Sequence, residues 1–358
     1  MNPITVLVIG DPHFKISNVC DTDLMVESII RIATERHPDI IVVLGDILDR
    51  HENIHVSPLT RSIKFLTSLM TIAPTYALIG NHDLKNNKQF LSDEHPFTAL
   101  KFLPGITIVD TTILTIIKNQ TFVFVPYVPP GRFEEALNKC DNWQTATCIF
   151  AHQEFKGAQM GAIVSTEGDS WLTSQPYVAS GHIHDYQEVQ SNILYVGTPI
   201  QHTYGDHDNK TISFFTYYSP TAREHERLDL GIPRKHIIHI TCEEVSTYIL
   251  PKNCQLKIVI RGTSGELKAI MKHPNIDIWK HLNHKIVYKD IPLNNPNNTN
   301  ILTKAPPRFS IALHNAIHQH PRLSLLYTEI FGQINISPTN NVNKETTQII
   351  TLNIIHSK

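Results

Sequence analysis

Five apolar, β-branched runs in this chain each stop at a short cluster of Asp, Asn or His. The runs are ITVLVIG (4–10), DIIVVLG (39–45), PTYALIG (74–80), ATCIFA (146–151) and PYVASG (176–181). They end at Asp11-Pro12-His13, Asp46, Asn81-His82, His152 and His182-Ile183-His184. A short continuous apolar run reads as a strand buried on both faces. In open α/β sheets the C-terminal strand edge is where ligands bind. Five clusters at five such edges predict one shared site.

The stretches between the runs carry helical patterns. DTDLMVESIIRIATERH (21–37) opens with an Asp/Thr cap and closes before Pro38, and SPLTRSIKFLTSLM (57–70) supplies a second helix. Three strand–helix units predict a parallel sheet. Short strands follow over 106–126, then a helix at RFEEALNKC, and EVQ, ILYVG and TISFFTYY read as a terminal meander. The predicted fold is α/β, a two-sheet β-sandwich flanked by helices.

The texture changes near 228–236. We therefore expect a catalytic domain at 1–230, a smaller α+β domain at 231–334 and a flexible tail at 335–358. Strands HIIHIT, CQLKIVI and KIVYKDI and a helix SGELKAIMK belong to the smaller domain. Residues 290–307 read as an Asn/Pro-rich loop, and 308–331 as a helix that Pro321 should break or kink.

Composition narrows the function. No run approaches the roughly 20 apolar residues of a membrane-spanning helix, and the N-terminus lacks a basic leader, so a soluble, cytoplasmic protein (nuclear if the host cell is eukaryotic) is expected. The five cysteines are scattered without a CxxC pair, which argues against a zinc finger or redox site. With 21 histidines in the chain, a lone histidine means little and only a spaced constellation counts. Charge is uneven: residues 231–358 hold 15 Lys+Arg against 7 Asp+Glu, residues 1–230 hold 16 against 26. Lys252, Lys257 and Arg261 flank or lie on one predicted strand, and Lys268 and Lys272 are expected to share a helix face. Such asymmetry points to an anionic partner for the C-terminal part.

Clusters of Asp, His and Asn without Cys offer donors suited to Mn²⁺, Fe or Zn better than Ca²⁺. The segments GDPH (10–13), GDILDR (45–50), GNHD (80–83), His152 behind a strand and GHIH (181–184) resemble, in order, the five motifs of calcineurin-like metallophosphoesterases. The resemblance implies two divalent ions: one held by Asp11, His13, Asp46 and His184, the other by Asp46, Asn81, His152 and His182, with Asp46 bridging. It also implies His82 as the catalytic group that protonates the leaving oxygen, oriented by the acidic Asp49. Arg50 is a candidate phosphate contact, and His202 and Asp206 lie near the same rim.

YVGTPIQHTYGD (195–206), following GHIH, is similar to a segment of the SbcD-type double-strand-break repair nucleases, and a small second domain follows in both. That similarity implies a Mn²⁺-dependent DNA exo/endonuclease, a homodimer working with an SbcC-type SMC-like ATPase. A nucleotide or cyclic-nucleotide phosphodiesterase and a protein phosphatase are the alternatives. GNHD and the short GDILDR depart from the GNHE and GDYVDRG of protein phosphatases. A metal-free scaffold is disfavoured because every ligand is present.

Overall fold

A computed structural model describes residues 3–291. Strands β1 (Ile4–Ile9), β2 (Ile40–Val43), β3 (Thr75–Leu78) and β4 (Ile106–Val109) run parallel, with helices α1 (Val19–Arg36) and α2 (Val56–Met70) in the first two crossovers. Strand β5 (Ile113–Ile117) hairpins onto β6 (Gln120–Val125), which opens a second sheet; the short helix α3 (Phe133–Leu137) leads to β7 (Cys148–Ala151) beside it. A small hairpin, β8 (Gln159–Met160) with β9 (Ile163–Val164), stands apart. Strands β10 (Val178–Ser180), β11 (Gln187–Gln190) and β12 (Ile193–Tyr195) complete the second sheet in the order β11-β12-β10-β7-β6-β5.

The meander expected at 187–218 does not form. Strand β13 (Ile212–Tyr217) leaves the second sheet and pairs antiparallel with β1, and β14 (Arg223–Leu228) becomes the edge of the first sheet, ordered β14-β13-β1-β2-β3-β4. The reason is burial. Phe215 and Tyr217 of β13 are fully buried against Phe122 and other residues between the sheets, which an exposed meander could not provide.

The layers explain why the early strands are apolar throughout. In β1, Leu7 and Ile9 pack towards Met25, Ile29 and Phe65 of the helices, while Val6 and Val8 pack towards Phe124 and Phe150 of the second sheet. A third cluster with Phe133, Trp143 and Trp171 covers the far side of the second sheet.

Helix α1 starts at Val19, so the expected Asp21/Thr22 cap is inside the helix. Asp21 has another role: its buried carboxylate pairs with Lys235 Nζ at 2.7 Å and accepts from Gln255. A cation brought to it from later in the chain outcompetes a local capping role.

Strands β15 (Arg234–Thr241), β16 (Cys254–Gly262) and β17 (Lys285–Asp290) form a separate parallel sheet. Helices α4 (Ser264–Ile270) and α5 (Pro274–His281) cover one face of it through Ile258, Ile260, Leu267, Ile276 and Trp279. Thr263 opens α4 with a reciprocal capping box to Glu266. Because α4 stops at Ile270, Lys272 is outside it and does not share a helix face with Lys268. The expected helix at 308–331 and the tail at 335–358 lie outside the described residues, as does most of the loop at 290–307. No helix among the described residues is long and apolar enough to cross a membrane.

Candidate metal centre

The motif glycines exist because the strand ends meet closely. A Cβ on Gly80 would stand 2.1 Å from the Asp46 backbone nitrogen, and one on Gly181 would stand 2.4 Å from Asp11 Oδ1. Neither position tolerates a side chain. The donors themselves are strained: His13, Asp46 and His182 adopt φ of 44°, 46° and 80°. Non-glycine residues in such regions cost about 1–3 kcal/mol each and survive where neighbours over-determine them. Here His13 N–H donates to the Asp46 carbonyl at 3.0 Å, His82 N–H to Asp46 Oδ1 at 2.8 Å and His182 N–H to Asp11 Oδ2 at 2.9 Å. The clusters hold each other in place.

All seven predicted donors come together, in two groups. In the first, ligand atoms of Asp11, His13 and His184 lie within 4.8 Å of one another, with the Nε2 atoms of the two histidines 3.0 Å apart. In the second, Asp46, His152 and His182 converge likewise. Asn81 Oδ1 joins it, 3.0 Å from His152 Nε2 and 2.9 Å from His182 Nδ1. Asp46 faces both groups: Oδ1 is 3.4 Å from His152 Nε2 and Oδ2 is 3.7 Å from His13 Nε2.

This donor set fits two divalent ions. Neighbouring donors on one ion, each bound at about 2.0–2.2 Å, necessarily sit about 3 Å apart, as these do. The tautomer is also fixed: His152 Nδ1 lies 2.6 Å from the Leu44 carbonyl, so it carries the proton and Nε2 presents its lone pair inward. Asn81 donates from Nδ2 to Asn87 Oδ1 at 3.4 Å, which turns Oδ1 to the centre.

Electrostatics agree. Burial raises Asp11, while His152 and His184 pull the other way. Asp46 is held well below the usual carboxylate range despite burial, because His152, His13 and His82 surround it. Burial opposes charge on His152, but Asp46 and Asp11 outweigh it and push the imidazole up to about 9, so a cation bound at Nε2 would take the place of a proton. His13 is driven well down, first by burial. The carboxylates thus draw positive charge to this point, a demand divalent cations satisfy.

His82 sits beside the donors without joining them. It is 35% exposed, and its Nε2 is 3.9 Å from Asp46 Oδ2. Its expected orientation by the Asp49 carboxylate is not what the structure shows. His82 Nδ1 is 2.8 Å from the main-chain oxygen of Asp49, whereas the carboxylate turns away to pair with Lys15 Nζ at 2.8 Å. The half-buried ammonium takes the charge, and the backbone orients the imidazole. The His51 ring lies parallel to the His82 ring, 5.0 Å away at 7°, and its Nδ1 is 3.0 Å from the Leu84 carbonyl. Arg50 is exposed beside Lys15 on the rim of a neighbouring cavity.

Several supporting residues escaped the motif reading. Asp83, the last residue of GNHD, accepts from the backbone N–H of Ile47, Leu48 and Gly80, tying two donor loops together. Burial and the Asp46 charge push its carboxyl up to about 7. Glu154 approaches His182 Nε2 at 3.8 Å, and buried Lys210 donates to the His184 carbonyl at 2.7 Å. His202 is buried behind the centre, edge-on to His13 at 4.9 Å, and Asp206 braces its own loop through His202 N–H and Thr203. His202 lines neither cavity beside the centre, whereas Asp206 lines the one beside His182 and His184. Adjacency to a donor was the available signal for Asp83 and Glu154; for Lys210 there was none.

The model of the calcineurin-like phosphoesterase family matches residues 4–208. The chain is 44% identical over 280 residues to "Putative phosphoesterase 244L" of Invertebrate iridescent virus 6, covering 76% of this chain and 99% of that protein. It is 41% identical over 278 residues to "Putative phosphoesterase 078R" of Invertebrate iridescent virus 3, covering 76% and 80%. Among solved structures, TT1561 of Thermus thermophilus aligns with a TM-score of 0.42 and 12% identity, over 64% of this chain and 100% of that one.

Proposed function

The chain belongs to the calcineurin-like phosphoesterase family and is a metal-dependent phosphoesterase; from that premise we propose that it is a Mn²⁺-dependent phosphodiesterase acting on DNA, an exo/endonuclease of SbcD type. The observation that carries phosphoester hydrolysis is the Asp46 carboxylate turned to two donor groups at once. Two divalent ions held by these donor groups would supply charge neutralisation on phosphoryl oxygens and would activate water as the nucleophile at neutral pH.

The chain's own residues do the rest. Asp46 fixes the spacing of the two groups, and its Oδ1 anchors the His82 backbone. His82 Nδ1–H is committed to the Asp49 carbonyl, so Nε2 is the atom that delivers a proton to the leaving oxygen. Two separate cavities border the centre: about 320 Å³ beside Asp49, and about 380 Å³ beside His182 and His184, with no lining residue in common. Two substituents on one phosphate would each have a place, which favours a diester over a monoester.

Support for DNA comes from the small sheet. Its register sets Lys257 beside Lys285 and Arg261 beside Lys289, all on the face opposite α4 and α5. None of the four forms an ion pair among the described residues. Unpaired cations in rows bind a phosphate backbone without sequence preference. The homodimer and the SbcC-type ATPase partner belong to the same reading and rest on the sequence similarity alone. The test is digestion of end-labelled linear DNA by the full chain with Mn²⁺, alongside bis-p-nitrophenyl phosphate. Cleavage of both is expected; turnover of the small diester with DNA left intact would reject the nuclease.

A further inference from the structure

We infer that the cavity beside Asp49 is a nucleoside subsite, receiving the unpaired base of a nucleotide attached to the scissile phosphate. This rests on the phosphodiesterase reading above and specifies its substrate: single-stranded or frayed DNA in preference to the interior of a duplex.

Position is the first ground. Asp49 lines this cavity, its main-chain oxygen holds His82, and its carboxylate is 3.8 Å from His13 Nδ1. A group in the cavity is therefore one residue away from the donors of the first metal group. No donor lines the cavity, and Asp49 is the residue that joins it to His82 and His13.

Chemistry is the second ground. Phe14 and Leu48 line it at 2% and 4% exposure, and the side chains of Ile16 and Ile54 remain 59% and 44% exposed at its walls. Large apolar side chains left open in a concavity mark a binding site. At its edge Lys15 is committed to Asp49, but Arg50 forms no ion pair among the described residues. A guanidinium both stacks on flat rings and donates to polar edges. Apolar walls with donors at the rim suit a flat group with apolar faces and polar edges, as a nucleobase is. At about 320 Å³ the space is at the small end of ligand sites, which run from about 300 to 1,000 Å³, so it admits one nucleoside and no duplex. A base inside a duplex is stacked and paired, and must be freed before it can enter.

The test uses the full chain loaded with Mn²⁺ and isothermal titration with deoxyadenosine 5′-monophosphate and with 2-deoxyribose 5-phosphate, which lacks the base. The nucleotide is expected to bind at least about tenfold more tightly, as filling an apolar pocket does. Two variants should erase that ratio: the double substitution Ile16→Ser/Ile54→Ser, at positions exposed enough to spare the core, and Ser17→Trp, which fills the space. Equal affinity for the two ligands, or a ratio that both variants leave intact, overturns the subsite. Turnover of bis-p-nitrophenyl phosphate is measured in parallel. Turnover without base discrimination rejects the subsite alone, and discrimination without turnover rejects the phosphodiesterase reading while leaving the subsite standing.

Discussion

The rim of the sandwich and the open face of the small sheet solve opposite problems. At the rim, Asp11, His13, Asp46 and His152 are almost wholly buried, and three donors there adopt left-handed backbone conformations. Their neighbours fix them before any substrate arrives. On the small sheet, Arg261, Lys285 and Lys289 are exposed and Lys257 is half-buried, on ordinary extended strands. The first arrangement is cooperative, so a single change should propagate. The second is additive, so single changes should be tolerated and only their sum felt.

The sharpest way to break this contrast is Asp46→Asn. The carboxylate faces both donor groups and holds His82 N–H, so its loss should lower turnover of every substrate by at least about 10³-fold, more than one electrostatic donor contributes elsewhere. Elemental analysis should show metal content falling with activity. A fully active Asp46→Asn enzyme would mean the two groups work independently.

His82→Ala comes next, at roughly 10²–10⁴-fold in rate with metal content unchanged. Asp49→Asn separates side chain from main chain. It keeps the carbonyl that orients His82 and loses the charge that pairs with Lys15 and lies 3.8 Å from His13 Nδ1. We expect a loss below about tenfold. A loss as large as that of His82→Ala would restore the carboxylate as the orienting group.

What the sequence revealed follows the same division. The gathering of the seven candidate donors was readable because each follows an apolar run, where chain order alone puts it on the rim. The contact between Asp49 and His82 was not readable because a motif names a residue, whereas it is the backbone oxygen that meets the imidazole. The basic rows were half legible: Lys257 and Arg261 stand two turns of the pleat apart on one strand. Lys285 and Lys289 joined them only through a parallel register that no local pattern encodes. The return of β13 to β1 was hidden for the same reason, since long-range pairing is decided by what the strand can bury.

The additive face predicts a graded response. Replacing Lys257, Arg261, Lys285 and Lys289 by Glu one at a time should each weaken DNA binding modestly. Each lost phosphate contact should lower the slope of log K against log salt by roughly 0.7–0.9. DNA cleavage should fall further than hydrolysis of bis-p-nitrophenyl phosphate in the fourfold variant. Equal losses on both substrates would place these residues in the cooperative class instead.

The smallest effect tests where the cooperative class ends. His51 is not among the donors, yet its ring lies flat on His82 at 5.0 Å, while the His13 ring meets His82 edge-on at 5.2 Å. Its own Nδ1 is fixed on the Leu84 carbonyl, so the ring is a firm wall rather than a mobile one. Aromatic pairs of this kind contribute about 0.5–1.5 kcal/mol beyond burial. His51→Ala should therefore cost about 2- to 10-fold in kcat, with KM little changed, because His82 stays in reach but samples wrong orientations. His51→Phe keeps the flat face without the ring nitrogens and should recover most of the rate. If both variants lose activity equally, the ring nitrogens are what His82 needs, and His51 acts through a proton rather than as a wall.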